Sequence, residues 1–220
     1  MRELVIFGAG SVAEAVHWCL AEEGGRSVAA FAVDAEFRKA DQVLGVPVVD
    51  FETIQQTHPP DRYEMFVAVG YAQVNKFRAA KCAQAQAKGY ALASHVSPRA
   101  MVWPGLNVQP NTLIMEANVI QPYVTVGRNV IMWSGNHVGH HSAVEEDCFI
   151  ASHAVISGNC RIGQGTFIGV NATLRDGISI GRHNVIGAAA LILADTPDNG
   201  VFIGAATEMS RVPSNRLRGI

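Results

Sequence analysis

From Val96 to Ile192 an apolar residue stands at every sixth position: Val96, Val102, Val108, Ile114, Ile120, Val126, Met132, Val138, Val144, Ile150, Ile156, Ile162, Ile168, Leu174, Ile180, Ile186 and Ile192. That period fits neither a helix nor plain strand alternation, but it suits a chain that turns a corner every six residues. Three hexads close one triangular coil, so seventeen anchors predict nearly six coils. Four positions after many anchors comes a small residue (Ala100, Thr112, Ser142, Cys148, Ala154, Cys160, Thr166, Ala172, Ala190). In an extended segment that residue points the same way as the next anchor, so each hexad fills the interior twice. Pro98, Gly105, Asn111, Asn129, Gly165, Gly177 and Asn184 fall between, where corner backbone angles are needed.

Before the repeat the pattern changes. Short apolar runs at 4–7, 28–33, 46–49 and 65–69 read as strands, and 11–22 and 73–88 as helices, the second ended by Gly89. The alternation predicts a small Rossmann-like parallel sheet over 1–92, followed by an all-β prism with a C-terminal tail over 93–220. The first strand-to-helix turn reads Gly8-Ala9-Gly10-Ser11-Val12-Ala13. In such a turn the first Gly permits the bend, the second lets a phosphate approach, and the small Ala13 lets helix and strand pack. Asp34 follows the second strand, where this fold places a carboxylate on a ribose or base, and Gly70 follows the strand at 65–69, at another ligand-bearing edge. Ninety residues are few for a full dinucleotide fold, so a nucleotide-linked ligand suits the segment better than NAD.

Within the hexads, Asn136-His137-Val138-Gly139-His140-His141-Ser142 departs from bland filling, and His153 lies a little further on. The register puts His140, His141 and His153 at corners and His137 on a flat face, all outside the core. Imidazole takes and returns protons near neutral pH, which marks the cluster for acid–base work. Glu145, Glu146 and Asp147 follow, and a carboxylate beside an imidazole would orient it.

Charge narrows the partners. The net charge of the 220 residues is -2 with no Lys/Arg run, which points away from nucleic acid and from anionic membranes. The four cysteines form no CxxC pair, as in a reduced compartment. With no signal-peptide pattern and no apolar stretch of membrane-spanning length, the expectation is a cytoplasmic protein.

The Gly8–Ala13 turn, Phe66-Val67-Ala68-Val69-Gly70, His95-Val96-Ser97-Pro98, the hexads, Asp195-Thr196-Pro197-Asp198-Asn199 and Val201-Phe202-Ile203-Gly204 together resemble the hexapeptide-repeat, left-handed β-helix sugar acyltransferases. The likeness is to those with an N-terminal nucleotide-sugar-binding domain, of the bacillosamine and perosamine N-acetyltransferase and sialic acid O-acetyltransferase types. It implies transfer of an acetyl group from acetyl-CoA, without a metal, to a nucleotide-linked amino sugar of surface-polysaccharide or glycan biosynthesis. It also implies a homotrimer with sites between prisms. Sugar O-acetylation is the alternative within the family. A histidine-ligated metal enzyme like the γ-carbonic anhydrases, and a non-catalytic nucleotide-sugar-binding protein, are the alternatives outside it. Gly8, Ala9, Gly10, Ser11, Asp34, Gly70, His137 and His153 become the substrate-side candidates. Val155, Gly158, Arg175, Asp176 and Ala194 become the coenzyme-side candidates, with Arg182 and Arg211 also available for its phosphates. The family's base, a His two residues before a Cys, falls at Glu146 here, and its second His falls at Val155. The base is therefore expected at His140 or His141, with His141 preferred and Glu146 and Asp147 in support. Outward-facing Leu113, Val119, Ile131, Phe149, Val155, Phe167, Val185 and Leu191 are expected to meet another subunit or the pantetheine arm.

Overall fold

The computed structural model describes residues 2–216; residues 1 and 217–220, the expected outer limits of the two segments, lie outside the described residues. The chain opens with β1 (Glu3–Phe7), whose Leu4 to Phe7 are buried, and α1 (Ser11–His17), which passes into a π-helical turn at Trp18–Glu23. Then come β2 (Val28–Val33), β3 (Gln42–Val43), β4 (Val46–Asp50), β5 (Tyr63–Val67) and α2 (Lys76–Ala87). The sheet order is β3-β4-β2-β1-β5, parallel except for β3, a short edge strand folded back on β4. β5 begins and ends two residues earlier than the apolar run suggests, because it pairs with β1 from Glu3↔Tyr63 to Phe7↔Val67. α2 starts three residues later than expected. Gln73, Val74 and Asn75 hold positive φ (54°, 53° and 65°), a left-handed turn that a helix cannot contain.

From His95–Val96 to Val201–Phe202 the chain is a left-handed parallel β-helix of two-residue strands, each paired with the strand eighteen residues on, as His137↔Val155 and Val138↔Ile156, except the last, where Val185 pairs with Val201. The first face has seven strands (His95–Val96 to Val201–Phe202), the second six (Met101–Val102 to Leu191–Ile192) and the third four (Thr125–Val126 to Ser179–Ile180). Every anchor from Ile114 to Ile192 is no more than 6% exposed, and Cys148, Ala154, Cys160, Thr166 and Ala172 fill the interior between them. One anchor departs from the ladder: Val108 is half-buried and forms no strand, so the third face starts one coil late. Each corner carries a column of residues with positive φ, such as Tyr123, His141, Asn159 and Gly177 between the second and third faces.

The sheet packs on the first face. Leu113, Ile131 and Phe149 share one core with Leu4, Ile6, Leu20, Phe31 and Phe66, and Phe167 packs against it. The expectation that these outward residues meet another subunit or the coenzyme is thereby corrected: their partner is the chain's own sheet. Polar contacts lock the joint. The buried Arg78 donates to Asn129 Oδ1, Asn75 Oδ1 and the carbonyls of Gly70, Asn129, Asp147 and Cys148, while Asn75 donates to the Gly165 carbonyl. Burial lowers the Arg78 pKa to about 10, which leaves the guanidinium charged at neutral pH.

Candidate active site

His140 and His141 stand exposed at the corner between the second and third faces, their Nδ1 atoms 3.2 Å apart. Backbone bonds fix them: His140 N donates to Gln121 Oε1 at 2.9 Å, His141 N to the Pro122 carbonyl at 3.1 Å, and Asn159 N to the His140 carbonyl at 2.8 Å. Next to them Ser142 turns inward, donating to the Ser157 carbonyl and accepting from Cys160 N. The His140 ring leans over Gly158. Its Nε2 and the Asp176 Oδ1 both lie 2.9 Å from where a Gly158 Cβ would sit, so a larger residue there would push both side chains aside. Gly158, Asp176 and Ala194 follow His140 at intervals of eighteen residues and form the corner column above it, with exposed Arg175 beside Asp176. The Gly158 N–H has no hydrogen-bond partner among the described residues.

The other histidines stand apart from this pair. His137 is half-buried on the second face, between Val119 and the 39%-exposed Val155. His153 occupies the corner between the first and second faces, its ring folded over Gly135. Nor do the carboxylates orient an imidazole within the chain, contrary to expectation, because they occupy the third corner. There Glu146 pairs with Arg128 at 2.7 Å, and Asp147 accepts from Asn129 and Gln164. Burial raises the Glu145 pKa, but the Arg161 hydrogen bond, the Gln164 N–H and the Arg161 charge outweigh it and hold the group below its ordinary range. Cys148 is fully buried in the prism, its thiol against the Gly163 carbonyl, and burial pushes its pKa up to about 12. Among the described residues no group of three His, Cys, Asp or Glu side chains is placed to hold a metal ion, and no helix is long and apolar enough to cross a membrane.

In the N-terminal sheet, Gly8 is buried with φ +118°, and a Cβ there would lie 2.6 Å from the Ala68 carbonyl oxygen. It joins the ends of β1 and β5. Ala9, Gly10 and Ser11 are more open, and a groove of about 310 Å³ beside Ala9 and Gly10 is walled by Val33, Phe37, Lys39 and Val48. Asp34 does not face it. Strand alternation turns Asp34 toward α2, where it binds Lys81 at 2.6 Å, so Phe37 and Lys39 stand where a base-contacting carboxylate was expected. Gly70 serves the joint through its bond to Arg78, and exposed Tyr71 packs on Phe149 and Phe167.

The bacterial transferase hexapeptide model, of six repeats, matches residues 159–194. Perosamine N-acetyltransferase from Caulobacter crescentus, solved with CoA and GDP-perosamine, superposes with a TM-score of 0.84 at 28% identity, over 93% of this chain and 95% of that one. The chain has the hexapeptide-repeat acyltransferase fold. A variant of the Caulobacter enzyme with a histidine replaced by asparagine gives a TM-score of 0.85 at the same 28% identity, over 93% of this chain and 94% of that one. The acetyltransferase domain of PglB from Neisseria gonorrhoeae FA1090, in complex with acetyl coenzyme A, gives 0.81 at 28% identity over 91% and 95%. WeeI from Acinetobacter baumannii AYE, at 16% identity and a TM-score of 0.78 over 93% and 97%, shares the fold. No curated protein matches the chain in sequence.

Tyr123 and Trp103 went unremarked in the sequence. They line the approach to His141 from below, with ring centroids 4.7 Å apart for Tyr123 and His141 and 5.6 Å for Trp103 and Tyr123. The signal was present, because Tyr123 precedes His141 by eighteen residues, one full coil.

Proposed function

We propose that the chain is an acetyl-CoA-dependent N-acetyltransferase acting on a nucleotide-linked amino sugar. The observation that carries this reading is the His140–His141 pair beneath the open Gly158–Asp176 column, in a fold shared along its length with acetyltransferases. Two Nδ1 atoms at 3.2 Å form a hydrogen bond only when one ring donates and the other accepts. With His141 accepting, His140 carries its proton on Nδ1 and presents a basic Nε2 toward Gly158. The position of His140 Nε2 over Gly158 supports His140 as the base, with His141 as the group that sets its tautomer. The sugar amine attacks the thioester carbonyl, a C–N bond forms, and His140 takes the amine proton. The unpartnered Gly158 N–H supplies a donor for the oxyanion in this scheme. As the C–S bond breaks, the imidazolium returns the proton to the sulfur and CoA leaves as the free thiol. The coenzyme runs up the corner past Gly158, Arg175, Asp176 and Ala194, with Val155 on the adjoining face.

In this reading residues 1–92 hold the nucleotide at Gly8 to Ser11 and the Phe37–Lys39 groove, and residues 93–220 perform the transfer in the cytoplasm. The sheet packs on the first face, whereas the histidine pair lies at the corner across the prism from it. A nucleotide bound to one chain thus serves the histidines of a neighbour, which supports a homotrimer with sites between prisms. His137 and His153, on and beside the second face, would then face a neighbouring chain. Thiol release from acetyl-CoA with GDP- and UDP-linked amino sugars tests the reading, and N-acetylated product by mass is expected. Binding without transfer to any acceptor would sink it, and ester product in place of amide would turn the assignment to O-acetylation.

A further inference from the structure

On the third face the first coil is unfinished. The face begins at Thr125–Val126, and a groove of about 420 Å³ lies where the strand at Val108 would run. Its cause is local. Trp103 folds over Gly105, where a Cβ would sit 2.0 Å from the ring, and the indole N–H donates to the Val124 carbonyl at 3.2 Å in place of a missing backbone donor. Trp103 and Tyr123 wall the groove, Asn107, Gln109 and Thr125 offer polar groups, and Val126 lies at its floor. Tyr123 is 62% exposed and carries the row of rings on to His141.

We propose that this groove seats the pyranose ring of the acceptor, stacked on Tyr123 with its amine directed at His140 and His141; the assignment rests on the acyltransferase reading above. The C–H face of a sugar is apolar, and an aromatic face attracts it. Amide and hydroxyl side chains along the groove match ring hydroxyls. Its volume lies within the range of small-molecule sites, about 300–1,000 Å³. The column above His140 is the coenzyme side, so the coil below is the free approach. Acceptor and acetyl donor therefore reach the histidines from opposite ends of one corner.

The test is steady-state kinetics of the full chain and of Tyr123→Ala and Tyr123→Phe, using GDP-perosamine and a UDP-linked amino sugar as probes. With the better probe, Tyr123→Ala is expected to raise the acceptor KM about tenfold. The acetyl-CoA KM should stay within about twofold, and Tyr123→Phe should restore most of the loss, because the ring face does the holding. An unchanged acceptor KM in Tyr123→Ala, or a rise confined to acetyl-CoA, would overturn the assignment while leaving the acyltransferase reading standing. A wild-type chain that acetylates neither probe nor any other nucleotide amino sugar overturns both. Because Tyr123 is exposed, its removal should leave the thermal midpoint in place, and a fall of more than a few degrees with the acceptor KM unaltered also counts against the proposal.

Discussion

Two imidazoles that share one proton act as a unit, and their replacement should show it. His140→Asn is expected to lower kcat/KM by about a hundredfold or more, the usual cost of losing a general base. His141→Asn, which frees the tautomer of His140, should cost about tenfold, and the double variant little more than His140→Asn alone. Single-turnover acetyl transfer checks this, and a larger loss from His141→Asn would reverse the roles. At this scale the six-residue ladder was informative about direction. It sorted each histidine to the outside and each anchor to the inside, because side-chain direction in an extended hexad follows from position alone. It could not separate His153 from His140, since residues on different corners look alike until the faces are assigned. Asp34 misled for a related reason: the end of β2 supplies both Val33 and Asp34, and only the sheet's covering shows which of the two faces the ligand groove.

Between elements, the end of the first helical segment is clasped to the start of the prism. The Glu23 carboxylate, its side chain 6% exposed, accepts from His95 Nε2, Ser97 Oγ and Arg99 Nε at 2.8–2.9 Å. Burial raises its pKa, but hydrogen bonds from His95, Ser97 and Arg99 and the Arg99 charge prevail and hold it below the ordinary carboxylate value. A depressed carboxylate adds stability above its unfolded pKa and loses it as the pH falls through the folded one. Urea midpoints should therefore fall for the wild type between about pH 7 and pH 3. Glu23→Gln should be less stable at neutral pH and lose less on acidification, so that the two curves converge; parallel curves would mean that the clasp carries no such linkage. Elements were legible where periodicity governs them, as in β1, β2 and the hexads. The start of α2 was hidden because Asn75 is held by carbonyls of Gly165 and Thr166, ninety residues away in the chain. Arg78 likewise reads as a surface helix residue until the prism corner buries it.

For the whole molecule the second face is the exposed apolar one, with Met101 65%, Val155 39% and Leu191 61% exposed. If chains associate through it, Leu191→Glu should reduce the mass measured by light scattering from three times 23.5 kDa to that of one chain, without lowering the thermal midpoint of the isolated chain. A variant that stays a trimer would place the contact elsewhere. An apolar outward residue states that something covers it and leaves open what. That is why Leu113 and Leu191 looked equivalent in the sequence, although one meets its own chain and the other does not. A stack of parallel coils has a further hazard at its ends, where unpaired carbonyls and N–H groups invite another stack to continue the ladder. Trp103 answers it at the entry coil. By folding into the place of a strand and donating its own N–H to Val124, it takes up, on the third face, a carbonyl that the backbone of another stack could otherwise pair with.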